Sequence, residues 1–211
     1  CSCVSVHVAN RLGTNSLLDL VVFGRSAGNH IVDAVKHSAL NHKDLPKDAS
    51  DMTEARLARL ENSTSGEYAQ DVADNIRNSM QKHAAVFRTQ EMMDKGVVSI
   101  MDIAEQVNHI HLRDKSKVFN TARVEALEGE NLIEVAKATM VSAAARHECR
   151  GAHSVLDYEH PENHPEHPLG RNDKEWMKHT LWHRDGNKLT YKPVQMKPLT
   201  VDTVPPKPRT F

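Results

Sequence analysis

The residues whose types and spacing best suit chemistry lie in Ser5-Val6-His7-Val8-Ala9-Asn10-Arg11-Leu12-Gly13-Thr14-Asn15-Ser16-Leu17-Leu18-Asp19. Val4, Val6 and Val8 alternate with Ser5 and His7, which is a short strand pattern. A run of turn formers follows. Asn15 or Ser16 then stands where it can cap a helix that begins near Leu17. The first N–H groups of a helix have no partner inside it, and the helix dipole makes that end positive. An anion or an electron-rich ring is favoured there. Arg11 precedes Ser16 by five residues and can bring a planar, permanently charged fork to the same spot. Together they suit a carboxylate substrate held beside a cofactor. A capped core helix with Arg11 in an ordinary salt bridge satisfies the same pattern.

Other clusters are weaker. His153, His160, His164 and His167, with Glu159, Glu162 and Glu166, have the ligand types of a zinc site. They sit in a Pro-interrupted stretch with no periodicity to fix their geometry, so no metal site is expected. Arg150 and His153 fit either an interdomain anchor or a binding site, and the anchor is the simpler reading. Cys1 and Cys3 are too close for a disulfide and Cys149 is far away, so reduced thiols are expected. The methionines fall mainly at helical core spacing.

The elements that would position these groups are mostly helical. Residues 17–37 form a helix that is apolar nearly all round in its first two turns, which predicts burial. Gly24 and Gly28 lie four apart on it, and each costs roughly 1 kcal/mol against Ala unless another backbone comes close. Asp51 and Glu54 resemble a capping box that opens a short helix to about Asn62. Three amphipathic patterns follow: Val72, Ile76, Met80, Ala84, Phe87; Val97, Ile100, Met101, Ala104, Val107; and Leu132, Val135, Ala136, Met140, Ala143. Three such stripes can cover one another in an antiparallel three-helix bundle. Runs 179–184 and 187–194 flank Asp185-Gly186, a hairpin signal. The Pro-rich tail from Pro198 is expected to be extended. The organisation expected is residues 1–40 as one piece, a linker over 41–50, a helical domain over 51–152, and a C-terminal domain over 153–211. The fold class is mainly α.

Composition narrows the functions available. Among 211 residues, 27 Lys and Arg balance 28 Asp and Glu, so nothing electrostatic points to nucleic acid or to an anionic membrane surface. The strongest apolar run, Leu17–Phe23, is interrupted by Asp19 and falls far short of the ~20 residues a membrane-spanning helix needs. No stretch reads as a signal or transit peptide. The chain opens on Cys1 inside an apolar run, and is therefore expected to be part of something longer.

The stretch from Ser5 to Asp19 resembles the signature of the succinate dehydrogenase and fumarate reductase flavoproteins. Val21-Val22-Phe23-Gly24-Arg25 continues the match. Phe119-Asn120-Thr121 with Arg123, and Arg150-Gly151-Ala152-His153, resemble the helical domain of that family. Trp176-Met177-Lys178-His179-Thr180 and the ending Pro205-Pro206-Lys207-Pro208-Arg209-Thr210-Phe211 resemble its C-terminal domain. The matches are colinear over essentially the whole chain. Four positions depart from the family pattern: Val8 and Thr14 stand where Gly is usual or frequent, Cys149 where Ser is usual, and Val155 where Arg is usual. If position 8 needs a positive φ, a β-branched residue there is costly.

The resemblance implies oxidation of succinate to fumarate, with a hydride passed to N5 of FAD. Electrons would then pass to an iron–sulfur subunit and on to quinone. It implies that Arg11 grips a substrate carboxylate and that Ser16 and Leu17 contact the FAD. Residues 1–40 would be a remnant of an FAD-binding domain, a strand plus a buried helix. None of the nine glycines is spaced as Gly-x-Gly-x-x-Gly. The resemblance implies that the remaining catalytic groups lie upstream, with no catalytic residue in this piece, and the piece alone is expected to hold no FAD. An iron–sulfur subunit and membrane anchor subunits would be its partners, at the cytoplasmic face of a bacterial inner membrane. Fumarate reductase and L-aspartate oxidase flavoproteins are the alternatives within the family. A non-catalytic helical docking module is the alternative outside it.

Overall fold

The computed structural model describes residues 15–37, 43–159, 168–197 and 199–206. Seven α-helices and four short strands occur among them: α1 Asn15–Lys36, α2 Asp51–Asn62, α3 Ala69–His83, β1 Phe87–Arg88, α4 Gln90–Asn108, α5 Thr121–Ala145, β2 Ser154–Val155, α6 Leu156–Glu159, α7 Asp173–Trp176, β3 Lys178–His183 and β4 Lys188–Pro193. The chain divides into two compact units, Cys1–Arg56 and Leu57–Phe211, with the division inside α2.

In the first unit, α1 forms where the apolar run and its turn formers predict. Its apolar run is exposed among the described residues. Leu17, Leu18, Leu20, Val21, Val22 and Phe23 are between 43% and 70% exposed. A Cβ added at Gly24 or Gly28 would meet nothing within 4 Å among the described residues. An apolar stripe states that a helix face needs covering and leaves open which chain segment covers it. The strand expected over residues 1–8 lies outside the described residues.

The second unit is built on α3, α4 and α5, which pack pairwise. Leu60, Val72, Ile76, Ile100, Ile110 and Met140 are among its fully buried side chains. Each aliphatic side chain removed from water contributes about 1.5–3 kcal/mol. The stripe on α3 runs as its periodicity predicts through Val72 and Ile76, with Met80 and Ala84 packed against the core, up to Phe87, which leaves the helix, enters β1 and is exposed. On α4 the buried line is Met93, Gly96, Ile100, Ile103 and Val107, so Ile100 and Val107 fall on it as expected while Val97, Met101 and Ala104 flank it half-buried. On α5 the buried line is Ala126, Gly129, Ile133, Ala136, Met140 and Ala143. Leu132 and Val135 lie outside it and are exposed. The apolar residues of α5 occupy more than one face, so spacing alone could not choose the stripe.

Caps end the helices as the side chains dictate. The Thr89 hydroxyl accepts from the Met92 N–H at 3.2 Å, and the Asn120 carbonyl oxygen accepts from the Arg123 N–H at 2.8 Å. The carbonyl of Ser50, not Asp51, accepts the first helical bond of α2, from the Glu54 N–H at 2.9 Å. At the other end of α2, the Lys115 ammonium donates to the carbonyls of Leu60, Glu61 and Ser63 at 3.0, 2.9 and 2.7 Å. A cation there also meets the negative end of the helix dipole. The hairpin forms in the expected place, with His183 opposite Lys188 closing a loop in which Gly186 and Asn187 both have positive φ.

At Gly96 of α4, side chains of α3 and α5 both come close. A Cβ there would lie 2.6 Å from the Cβ of His83 on α3 and 2.6 Å from the Sδ of Met140 on α5. Gly96→Ala is expected to destabilise the second unit by about 1–3 kcal/mol through overpacking. Gly24→Ala, in the open, is expected to stabilise α1 by up to about 1 kcal/mol. Urea unfolding of the two variants checks the contrast, and equal midpoints would refute it.

Candidate functional site

Of the residues expected to bind ligands, Arg11 lies outside the described residues. Ser16 is half-buried in the first turn of α1, and Leu17 beside it is 64% exposed. No acidic side chain stands in that first turn. The first acidic residue of α1, Asp19, lies just past that turn, and the helix start carries the positive end of the dipole.

The second cluster is an ion network that begins where α5 ends. Arg146 turns the chain out of the helix into extended backbone, so Arg146, Glu148 and Arg150 project to one side at a spacing of two. Glu148 has no side-chain exposure. Its Oε1 accepts from Arg146 Nη1 at 2.7 Å and from Arg150 Nε at 2.7 Å. Its Oε2 accepts from Arg150 Nη2 at 2.9 Å and from the Asn172 N–H at 3.0 Å. Arg150 Nη2 also donates to Asp173 at 2.7 Å, and Arg171 forks onto both oxygens of Asp173 at 2.7 Å. The hydrogen bond from Arg171, foremost, holds the Asp173 carboxyl below the usual carboxylate range, with Arg150 adding to it. Burial works against the Arg150 charge, and the hydrogen bonds it donates to Glu148 and Asp173 outweigh it, so its pKa is raised.

Arg146 extends the network to the hairpin. Its Nη1 donates to the Trp176 carbonyl at 3.0 Å, and its Nη2 donates to the Lys178 carbonyl at 2.7 Å and the Thr180 hydroxyl at 2.9 Å. Its guanidinium also lies over the Trp176 ring, 5.1 Å from the centroid. Arg150 and His153 bond each other's backbones at 2.9 and 3.1 Å across a turn in which Gly151 has φ 61°. That turn brings His153 against Arg88 of β1, with Arg88 Nη1 3.0 Å from His153 Nδ1. Arginine can only donate, so Nδ1 accepts. Nε2 therefore carries the proton and donates to the Arg146 carbonyl at 3.0 Å. The histidine is held neutral, its pKa lowered first by burial and then by the charges of Arg88 and Arg146. Burial likewise lowers the pKa of Arg88.

The polar groups of this cluster are turned toward one another, so the cluster is an anchor, as the simpler reading of Arg150 and His153 expects. The network joins the end of α5, the loop before β2, α7 and β3. Sequence reasoning missed Glu148, Arg146, Arg88, Arg171 and Asp173. The alternation Arg146-x-Glu148-x-Arg150 was the available signal. Cys149 is equally inward: its thiol donates to the Val155 carbonyl at 3.3 Å and accepts from the Val155 N–H at 3.2 Å, and burial pushes its pKa up. Among the described residues no group of three His, Cys, Asp or Glu side chains could hold a metal ion. His160, His164, His167, Glu162 and Glu166 lie outside the described residues, while Glu159 accepts from the Ser154 hydroxyl.

The family described as fumarate reductase flavoprotein C-term matches residues 73–211, which include this whole network. This chain belongs to that flavoprotein family. The succinate dehydrogenase flavoprotein subunit of Coxiella burnetii is 45% identical over 209 residues, covering 99% of this chain and 34% of the relative. The fumarate reductase flavoprotein subunit of Escherichia coli is 33% identical over 211 residues, covering all of this chain and 33% of its own. In three dimensions, a solved E. coli quinol fumarate reductase covers 93% of the chain with a TM-score of 0.76 at 34% identity, and 32% of that protein is matched. The chain thus spans about a third of the length of the curated relatives it matches.

Two outcomes are expected from the network. Leu is close to Glu in size but cannot accept, so Glu148→Leu strands Arg146 and Arg150 beside an apolar group and is expected to cost about 3–5 kcal/mol, read by denaturant unfolding. His153 binds a proton less readily folded than unfolded. The unfolded chain therefore takes up the proton first, and stability falls as pH drops through the ordinary histidine value of about 6.5 toward the lower folded value. His153→Gln keeps a donor and an acceptor without titrating, so its melting temperature is expected to fall less than that of the parent over the same acid range. Parallel melting curves would refute the assignment.

Proposed function

We propose that this chain serves as the C-terminal part of the flavoprotein subunit of a succinate:quinone oxidoreductase, which oxidises succinate to fumarate. The observation that carries this reading is the 45% identity, over 99% of the chain, to a protein named as a succinate dehydrogenase flavoprotein subunit. Residues 1–40 are read as part of an FAD-binding domain, 41–50 as a linker, 51–152 as the helical domain and 153–211 as the C-terminal domain.

In this reading Arg11 binds one carboxylate of the dicarboxylate substrate with its planar fork. Ser16 and Leu17, at the start of α1, hold the FAD, and the acid-free first turn supports that fit. FAD supplies the hydride acceptor when bound. The chain's own part is to fix the substrate carboxylate and to offer positive backbone dipole where negative charge develops. Electrons leave through an iron–sulfur subunit, and membrane anchor subunits hold the assembly at the cytoplasmic face of a bacterial inner membrane. No helix of the described residues is long and apolar enough to cross a membrane, which accords with a peripheral subunit.

Fumarate reductase is the second reading, supported by the 33% identity to the E. coli subunit; L-aspartate oxidase is a more remote one. A free-standing helical docking module is disfavoured by the exposed apolar side chains of α1, which in a self-sufficient module would be packed.

The test supplies the chain as the C-terminal third of a succinate dehydrogenase flavoprotein assembled with its partner subunits. Arg11→Lys keeps the charge but loses the fork, and is expected to lower kcat/KM for succinate by about 100-fold or more with flavin content unchanged. Unchanged kcat/KM would remove Arg11 from the substrate site. The chain purified alone is expected to show no flavin absorbance, and co-purifying FAD would overturn the partial-site reading.

A further inference from the structure

The hairpin β3–β4 has two unlike faces. Strand register puts His179 opposite Lys192, Leu181 opposite Thr190 and His183 opposite Lys188. Side chains two apart on a strand share a face, so these six residues lie together. Trp182 and Lys178 belong to the other face, where Lys178 lies over the rings of Trp176 and Tyr191, 4.6 and 4.2 Å from their centroids. A hydrogen bond of 2.8 Å between Thr190 Oγ1 and His183 Nε2 joins two of the six across the strands.

That face holds two lysines, Lys188 and Lys192, two histidines, His179 and His183, and no acidic side chain. Neither lysine has an opposite charge directly across from it, where one would add to sheet stability. Asp185 lies in the turn, and the guanidinium of Arg184 is directed to Glu134, with Nε 3.3 Å from its carboxylate. Between the pairs, Leu181 is 43% exposed. The two pairs are four residues apart, about 14 Å at about 3.4 Å per residue. Charge, then apolar surface, then charge is the complement of an extended segment whose acidic residues stand two positions either side of an apolar one.

We propose that this face docks an extended acidic segment of a partner protein, with carboxylates on the His179–Lys192 and His183–Lys188 pairs and an apolar side chain on Leu181. A peptide fits better than an anionic lipid surface, because the apolar patch lies between the charges and not beyond them. The proposal is independent of the reading of residues 11–17.

The experiment titrates the full chain with a fluorescent peptide in which glutamates stand two residues before and two residues after a leucine, at low and at moderate salt. Saturable binding that weakens with salt is expected. Lys188→Gln/Lys192→Gln is expected to weaken it about tenfold, as loss of two exposed ion pairs would give. Lys82→Gln/Lys117→Gln removes the same charge elsewhere and is expected to change nothing. A peptide of the same composition with leucine moved to one end is expected to bind more weakly. Thermal melts check folding, and the hairpin variant is expected to melt no lower than the parent. Absence of saturable binding, equal losses in both double variants, equal binding of the rearranged peptide, or binding to phosphatidylglycerol vesicles in place of the peptide would each overturn the proposal.

Discussion

Glu148 carries a carboxylate with no side-chain surface open to water, a placement that costs several kcal/mol unless charge and hydrogen bonds replace the lost solvent. Here the replacement comes from two guanidinium groups and a backbone N–H, contributed by residues before, after and far beyond it in the chain. The requirement to satisfy one buried group thus ties the end of α5 to the turn at Gly151 and to the start of α7. Arg146 and Arg150 spend their remaining donors on Trp176, Lys178, Thr180 and Asp173, which carries the constraint into the hairpin.

This arrangement divides the work of holding the second unit together. The three long helices need only burial, which is non-directional and tolerant of small shifts. The region after Ala145 has short elements and few large apolar side chains, so its position depends on directional contacts. A hydrogen-bonded network specifies a single arrangement more sharply than a small apolar surface can. His153 is the outlying member: it must stay neutral to accept from Arg88 while it donates to Arg146, and that couples the β1–β2 pairing to proton activity.

The long elements were legible in the chain because their signals are local. Period-four spacing placed α3 and α4, the Ser63–Gly66 breaker ended α2, and Asp185-Gly186 between two alternating runs located the hairpin to within a residue or two. The stripe on α5 was less legible, since Leu132 and Val135 are as apolar as Ile133 but face away from the bundle. The ion network was largely illegible, because Arg88, Glu148 and Asp173 meet across long separations that no local pattern reports.

Residue types and order by themselves determined the helical class, the colinear family resemblance and the identity of Arg11, Ser16 and Leu17 as the residues to test, because each rests on short-range pattern. Tertiary structure alone decided that Arg150 and His153 form an anchor, that Glu148 is its centre, and that the apolar run of α1 is exposed among the described residues. Those outcomes depend on which distant groups share a dry space, and the free energy of a buried charge is set by its neighbours in space and not by its neighbours in the chain.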